Sequence, residues 1–500
     1  MGLLIQIDGQ SGRPVFRQII DQISGLVDSE ALRPGERLPS TRSLAERLAV
    51  NRSTVYRAYQ ELWSLGYLES RPGSYSIIRK RAKKAAGRTG PRPGLIDWAG
   101  QSTPAARDLQ AAFLRDQALV QRVEASGVID FISLSPDSRF FPLDAFRKCM
   151  NEVLADQGPD LLQYGSPLGY GPLREFIAQR MRQHGVSTSP QEIMVTGGAQ
   201  GALELLLRLL VRPGQAVVVE APTYSRALDI LHLSGVEILE VPLGGQGLDL
   251  DALESLLKRV SPALIYTIPN FHNPTGLTTD QAHRERLLGL CTKHRVPLLE
   301  DGFEEELKYF GRAVLPIKSM DHSGVVIYVG TFSKILFPGL RIGWIAADRE
   351  CIARLAAVQR AAMISGNLLD QAALDRFCRL GHYELHLKRL HRVYRRRMQA
   401  ALKTMQALLD PERVEWTRPA GGYTLWLRLK GLGLTEDEVV DRLLDQGVAV
   451  LPGSSHFFGP PAGLYLRLSI AHLDEAAIET GLRRLARALE GLSGRPGKLP

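Results

Sequence analysis

Six short apolar runs, at 193–196, 216–220, 238–241, 263–268, 296–300 and 325–329, are separated by stretches long enough for helices. Strands alternating with helices can only pair in parallel through crossovers, so this pattern predicts an α/β unit built on a large, mostly parallel sheet. In such sheets ligands collect beyond the carboxyl ends of the strands. The residues that follow each run are therefore where chemistry is sought.

Those residues form a coherent set. Gly197-Gly198-Ala199-Gln200 follows the first run and opens a strongly apolar helix, so backbone N–H groups at Gly198 and Ala199 can cradle a phosphate. Tyr224, in Pro222-Thr223-Tyr224, is placed to stack on a ring. Asn273, in Asn270-Phe-His-Asn-Pro-Thr-Gly276, can donate its amide to a phenolate oxygen, and Asp301 follows Glu300 directly. Thr331-Phe-Ser-Lys334 closes the set, with Arg341 seven residues further on. A lysine beside hydroxyls, a carboxylate, an amide and an arginine are the parts of a pyridoxal 5'-phosphate (PLP) site. Lys334 would form the Schiff base, which requires a neutral amine, and Asp301 would keep the pyridine nitrogen protonated. Arg341, Thr331 and Ser333 would hold the phosphate. Arg467, in Leu466-Arg-Leu-Ser469, is a candidate bidentate partner for the carboxylate of a substrate or effector.

The charge distribution points to a second module. Residues 1–93 hold 16 Arg and Lys against 8 Asp and Glu, so the first fifth of the chain carries +8 of the net +9. That concentration fits a nucleic-acid-binding head on a neutral body. Phe16, Ile19, Ile20, Ile23, Leu26 and Val27 recur at helical spacing. Ser40 is an N-cap for a short helix carrying Leu44, Ala45 and Leu48, and after the turn at 49–51 a longer helix buries Val55, Ala58, Tyr59, Leu62 and Leu65. Gly66 ends it, and 67–78 reads as a two-stranded wing. This is a winged helix-turn-helix, whose second motif helix enters the major groove of double-stranded DNA. Ser40, Thr41, Arg42, Arg52, Ser53, Thr54, Tyr56 and Arg57 are its candidate DNA contacts.

The motifs carry a family resemblance. Arg37-Leu-Pro-Ser-Thr-Arg42, Asn51-Arg-Ser-Thr-Val-Tyr-Arg-Ala-Tyr59 and Leu65-Gly-Tyr-Leu68 resemble the GntR regulators, in which Arg42 and Arg52 correspond to DNA-contacting arginines. Arg71-Pro-Gly-Ser-Tyr75 departs from that family's usual Gly-x-Gly wing turn. Tyr164-Gly-Ser-Pro-Leu-Gly-Tyr-Gly-Pro-Leu-Arg174, Asn273-Pro-Thr-Gly276 and Ser333-Lys334 with Pro338-Gly-Leu-Arg341 resemble fold-type I, class I/II aminotransferases. That resemblance implies a homodimer in which Tyr164 reaches the neighbouring subunit's phosphate. Phe303 stands where related regulators commonly have a tyrosine that bonds the cofactor, which puts efficient transamination in doubt.

Together the two halves resemble the MocR subfamily. The expected domains are a GntR-type head at 12–79, a basic flexible linker and lead-in at 80–125, and an aminotransferase-like PLP domain at 126–490 with a smaller C-terminal lobe. The function implied is transcription regulation by a small amino compound that forms an aldimine at the Lys334 site. The alternatives are a working aminotransferase of amino acids, or a PLP-level sensor controlling vitamin B6 synthesis; for the regulator, at most a half-transamination is expected. The four cysteines lie far apart without zinc spacing, and neither a signal peptide nor a membrane-spanning run is evident, so no metal, no membrane and a cytoplasmic location are expected.

Overall fold

The computed structural model describes residues 5–9, 11–71, 75–79 and 95–492. The chain divides into two compact units, Met1–Asp97 and Trp98–Pro500.

In the first unit, α1 (Val15–Asp28), α2 (Thr41–Leu48) and α3 (Arg52–Ser64) precede a hairpin of β1 (Leu68–Arg71) and β2 (Tyr75–Ile78). Local chemistry sets the boundaries. The Ser40 side chain accepts from the Ser43 N–H at 3.1 Å, and Asn51 accepts from the Ser53 N–H at 2.9 Å, so both motif helices are capped by their own N-cap residues. Gly66, at φ +73°, turns the chain out of α3. Ile19, Ile23, Leu44, Val55, Ala58 and Leu62 are fully buried in one core. Each of the larger ones contributes about 1.5–3 kcal/mol on burial, enough to hold a unit this small. The Tyr59 hydroxyl donates to the Pro39 carbonyl at 2.9 Å, pinning α3 to the segment leading into α2. Residues 72–74, at the wing tip where the departure from Gly-x-Gly falls, and the basic linker at 80–93 lie outside the described residues.

The second unit is built on an eight-stranded sheet of β3 (Ile193–Thr196), β4 (Ala216–Ala221), β5 (Glu237–Gly244), β6 (Gly247–Leu248), β7 (Leu264–Thr267), β8 (Leu298–Asp301), β9 (Val326–Thr331) and β10 (Gly343–Ala346). Its order is β3-β10-β9-β8-β7-β4-β5-β6. β4, β5, β7, β8 and β9 run parallel. β10 is antiparallel to both of its neighbours. The six apolar runs all form strands; the two-residue β6 and β10 are the ones that the alternation of the sequence did not reveal. A smaller lobe holds a four-stranded sheet in the order β11 (Val414–Trp416), β12 (Thr424–Leu429), β14 (Leu464–Ser469), β13 (Leu451–Pro452).

Beyond the basic linker, the lead-in to residue 125 is mostly helical. After a short turn of helix at Trp98–Gln101, α4 spans Pro104–Ser126. Thr103 caps it, accepting from the Ala106 N–H at 3.3 Å; Pro104 occupies its first turn, and Gly127 ends it at φ +60°. Polar contacts hold α4 to the rest of the large unit: Asp116 pairs with Arg226 at 2.6 Å and Arg122 with Asp441 at 2.8 Å, and the His232 ring lies 3.0 Å from the Asp108 carboxylate.

Candidate functional site

The carboxyl ends of β3, β4, β7, β8 and β9 open into one cavity of about 540 Å³. Ala199, Tyr224, Asn273, Asp301, Thr331, Ser333, Lys334, Arg341 and Arg467 all line it. Two sequence candidates do not: Gly198 lies beneath Arg341, and Tyr164 is 81% exposed away from the cavity.

Lys334 follows β9, and its Nζ donates to the Leu134 carbonyl at 3.2 Å. Loss of water lowers its pKa, with the charges of Arg467 and Arg341 adding to the effect and Glu304 opposing it. The site thus favours the neutral amine that carbonyl chemistry needs. Asp301, 2% exposed at the end of β8, accepts from the Tyr266 hydroxyl at 2.7 Å and from the Phe303 N–H at 3.1 Å. Burial pushes its carboxyl up to about 6, against the pull of Tyr266 and Phe303. A protonated ring nitrogen beside it would restore the charged form. Burial also raises the Tyr224 phenol to about 12, so it stays protonated.

One corner of the cavity suits a phosphate. α5 (Gly198–Leu210) begins there with its first N–H groups free of helical partners. The Arg341 guanidinium donates to the Gly197 carbonyl at 3.3 Å, and a side chain on Gly198, which sits at φ +77°, would come within 2.9 Å of it. Ser333 and Thr331, with hydroxyls 3.1 Å apart, complete the corner. The Oδ1 of Asn273 is buried without a partner. These residues fit PLP: a cradle for the phosphate, a carboxylate for the ring nitrogen, an amide for the phenolic oxygen and a lysine for the aldehyde.

Arg467, on β14, is 5% exposed. It donates to the Ile132 carbonyl, its Nε has no partner, and among the described residues no carboxylate lies within ion-pair distance of it. Phe303 lines the cavity with no hydroxyl to offer.

Sequence reasoning missed Tyr266, Glu304, Tyr423 and α4. Glu304 is 1% exposed; its Oε2 accepts from the Tyr423 N–H at 3.2 Å and its Oε1 has no partner. The Tyr423 hydroxyl in turn donates to the Lys334 carbonyl at 2.7 Å. Burial raises the Glu304 carboxyl to about 8, opposed chiefly by the charge of Lys334. Gly422, at φ +70°, is required beside it, because a Cβ there would sit 2.3 Å from Glu304 Oε2. Asp116, Leu119 and Val120 of α4 form a further wall of the cavity.

In the head, Arg52, Ser53, Tyr56 and Arg57 lie on the exposed face of α3, with Ser40 and Arg42 exposed and Thr41 and Thr54 half-buried. Two of the arginines are engaged within the head. The Arg57 guanidinium stacks 4.0 Å from the Phe16 ring centroid, and Arg42 pairs with Glu46 at 3.1 Å. Arg37 stacks 4.0 Å from the Tyr75 ring, tying the segment before α2 to the wing.

Residues 133–485 match the family model for aminotransferase class I and II, and residues 16–76 match that for bacterial regulatory proteins of the gntR family. The probable rhizopine catabolism regulatory protein MocR of Rhizobium meliloti is 30% identical over 99% of this chain and 98% of its own. The chain belongs to the MocR-type regulators. The HTH-type transcriptional regulator TauR of Rhodobacter capsulatus is 32% identical to this MocR-type chain over 92% of it and 93% of TauR. Among solved structures, the α-aminoadipate aminotransferase LysN of Thermus thermophilus superposes with a TM-score of 0.72 at 34% identity, covering 79% of this chain and 99% of LysN. The MocR-type architecture makes the head a DNA-binding unit and makes PLP the cofactor of the large unit.

Proposed function

We propose that this MocR-type regulator senses a small amino compound at its PLP site and alters its hold on operator DNA in response. The observation that carries the reading is one cavity holding both a buried, neutral-leaning Lys334 and a buried Arg467 with no carboxylate partner, in a chain whose other unit binds DNA. When bound, PLP supplies an aldehyde with which primary amines condense reversibly. Lys334 would hold the cofactor through its buried amine, at the position an effector's amine would compete for. Arg467 orients that amine by its carboxylate, and Asp301 and Asn273 fix the ring. Thr331, Ser333, Arg341 and the N–H groups at Gly198 and Ala199 hold the phosphate. Arg52, Ser53 and Tyr56 face the DNA from α3, with Ser40, Thr41, Arg42 and Thr54 near the phosphates and Arg57 buttressing α3 through Phe16.

The protein acts as a cytoplasmic homodimer on paired half-sites. The exposed Tyr164, which serves no purpose in its own cavity, completes the phosphate site of the partner subunit. No helix among the described residues is long and apolar enough to cross a membrane.

A working aminotransferase is the competing reading, supported by Lys334, Asp301 and Arg467 all facing one cavity. Product counting separates the two. PLP-loaded protein given an amino acid and an excess of 2-oxo acid should release no more than one product per site, whereas hundreds of turnovers per site would make it an enzyme.

A further inference from the structure

The sensing reading leaves the effector's side chain open, and the charges around the cavity constrain it. Besides Lys334, three cations line the cavity: Arg341, Arg226 and Arg467. Arg341 stands at the phosphate corner. Arg226 is already neutralised, with Nη2 2.6 Å from Asp116 and Nη1 2.8 Å from Asp229. Among the described residues, only Arg467 is left for an effector carboxylate. A second carboxylate would have to compete with Asp116 and Asp229 for Arg226, and a second ammonium would have to compete with Arg226 for Asp116, so neither finds a free partner of opposite charge on this wall. The wall beside this ion pair is apolar, made by Leu119 and Val120 of α4 with Ile132, Leu134 and Leu451. The two ion pairs and the His232–Asp108 contact that hold α4 to the rest of the large unit keep that wall in place.

We propose that the effector is a monocarboxylic amino acid with an uncharged, apolar side chain, and that Leu119 and Val120 of α4 select it. The proposal rests on the amino-compound reading above. It is tested by titrating the PLP-loaded full chain with leucine, phenylalanine, glutamate and lysine, reading the shift in the cofactor's absorbance spectrum at equilibrium. Leucine or phenylalanine should half-saturate the shift at a concentration at least ten-fold below that of glutamate or lysine. Val120→Arg, at a position 47% exposed and so harmless to the fold, should invert the order, with glutamate gaining at least ten-fold. Circular dichroism and PLP stoichiometry confirm that the variant is folded and loaded. Glutamate or lysine binding the wild type as tightly as leucine, as a cation or anion from a partner subunit would cause, overturns the proposal. So does an unchanged preference in Val120→Arg. A spectrum that no amino compound perturbs overturns the sensing reading itself, and the two failures are thereby distinguished.

Discussion

Replacing Arg467 with methionine should move stability and effector affinity in opposite directions. The guanidinium is 5% exposed, and burial pulls its pKa well below the ordinary guanidinium range, down to about 10. Since one pKa unit is about 1.4 kcal/mol, holding the charge there costs roughly 3 kcal/mol. The sign follows from linkage. A base whose folded pKa is depressed binds fewer protons than the unfolded chain only between about 10 and the ordinary guanidinium value, so stability rises with pH in that window and the full cost is present at neutral pH. Methionine removes the charge while filling similar volume, and loses the bond to the Ile132 carbonyl, worth about 1 kcal/mol. The net expectation is a cofactor-free protein more stable by about 2 kcal/mol at neutral pH, measured by urea unfolding. The same variant should bind a carboxylate-bearing amino acid about 100-fold more weakly, since a buried charge-assisted pair is worth about 2–5 kcal/mol. A variant destabilised by more than 1 kcal/mol, or one with unchanged effector affinity, would refute the reasoning.

Three other expectations concern separate parts of the molecule. Gly198→Ala adds a methyl group 2.9 Å from the Arg341 guanidinium at a position with φ +77°, so PLP affinity should fall about ten-fold in an absorbance titration; an unchanged Kd would remove Arg341 from the phosphate site. Asp301, at about 6 in the cofactor-free protein, takes a proton as pH falls through that value and can no longer pair with a protonated ring nitrogen. PLP affinity should therefore drop below about pH 6, and Asp301→Asn should bind weakly with no such dependence. In the head, Arg52→Ala should weaken DNA binding by about 1–3 kcal/mol if it reads a base, or lower the salt slope by about 0.9 if it meets a phosphate. Arg57→Ala should change DNA affinity less than two-fold, because its guanidinium faces Phe16; equal losses from both variants would show that Arg57 swings out to the DNA.

The parts legible in the sequence were those whose signal is local. Ser40 caps the first motif helix, the turn at 49–51 sets off the second, and Asp301 and Lys334 fall at strand ends fixed by short apolar runs. β10 was missed because a four-residue strand beginning with glycine, antiparallel within a parallel sheet, breaks the alternation on which the reading relied. α4 was missed because its apolar residues do not gather on one buried face, with Phe113, Leu114 and Val120 exposed, and because its sequence adjoins the basic linker, although Thr103-Pro104 and Gly127 mark its two ends. Glu304 and Tyr266 became visible only through packing: nothing in the Glu304-Glu305-Glu306 run says which carboxyl is buried under Gly422, and Tyr266 meets Asp301 across neighbouring strands. The neutralisation of Arg226 by Asp116 joins residues 110 positions apart, beyond the reach of any spacing argument.

The central claim, that the cofactor site governs the DNA-binding head, is tested most directly by fluorescence anisotropy. DNA from upstream of the protein's own coding sequence is titrated with PLP-loaded wild type and with Lys334→Ala at matched salt, with and without leucine or phenylalanine. The account predicts sequence-specific binding whose affinity changes at least five-fold with the amino acid in the wild type and not in Lys334→Ala. Specific binding that ignores every amino compound, or that responds equally in Lys334→Ala, would contradict it.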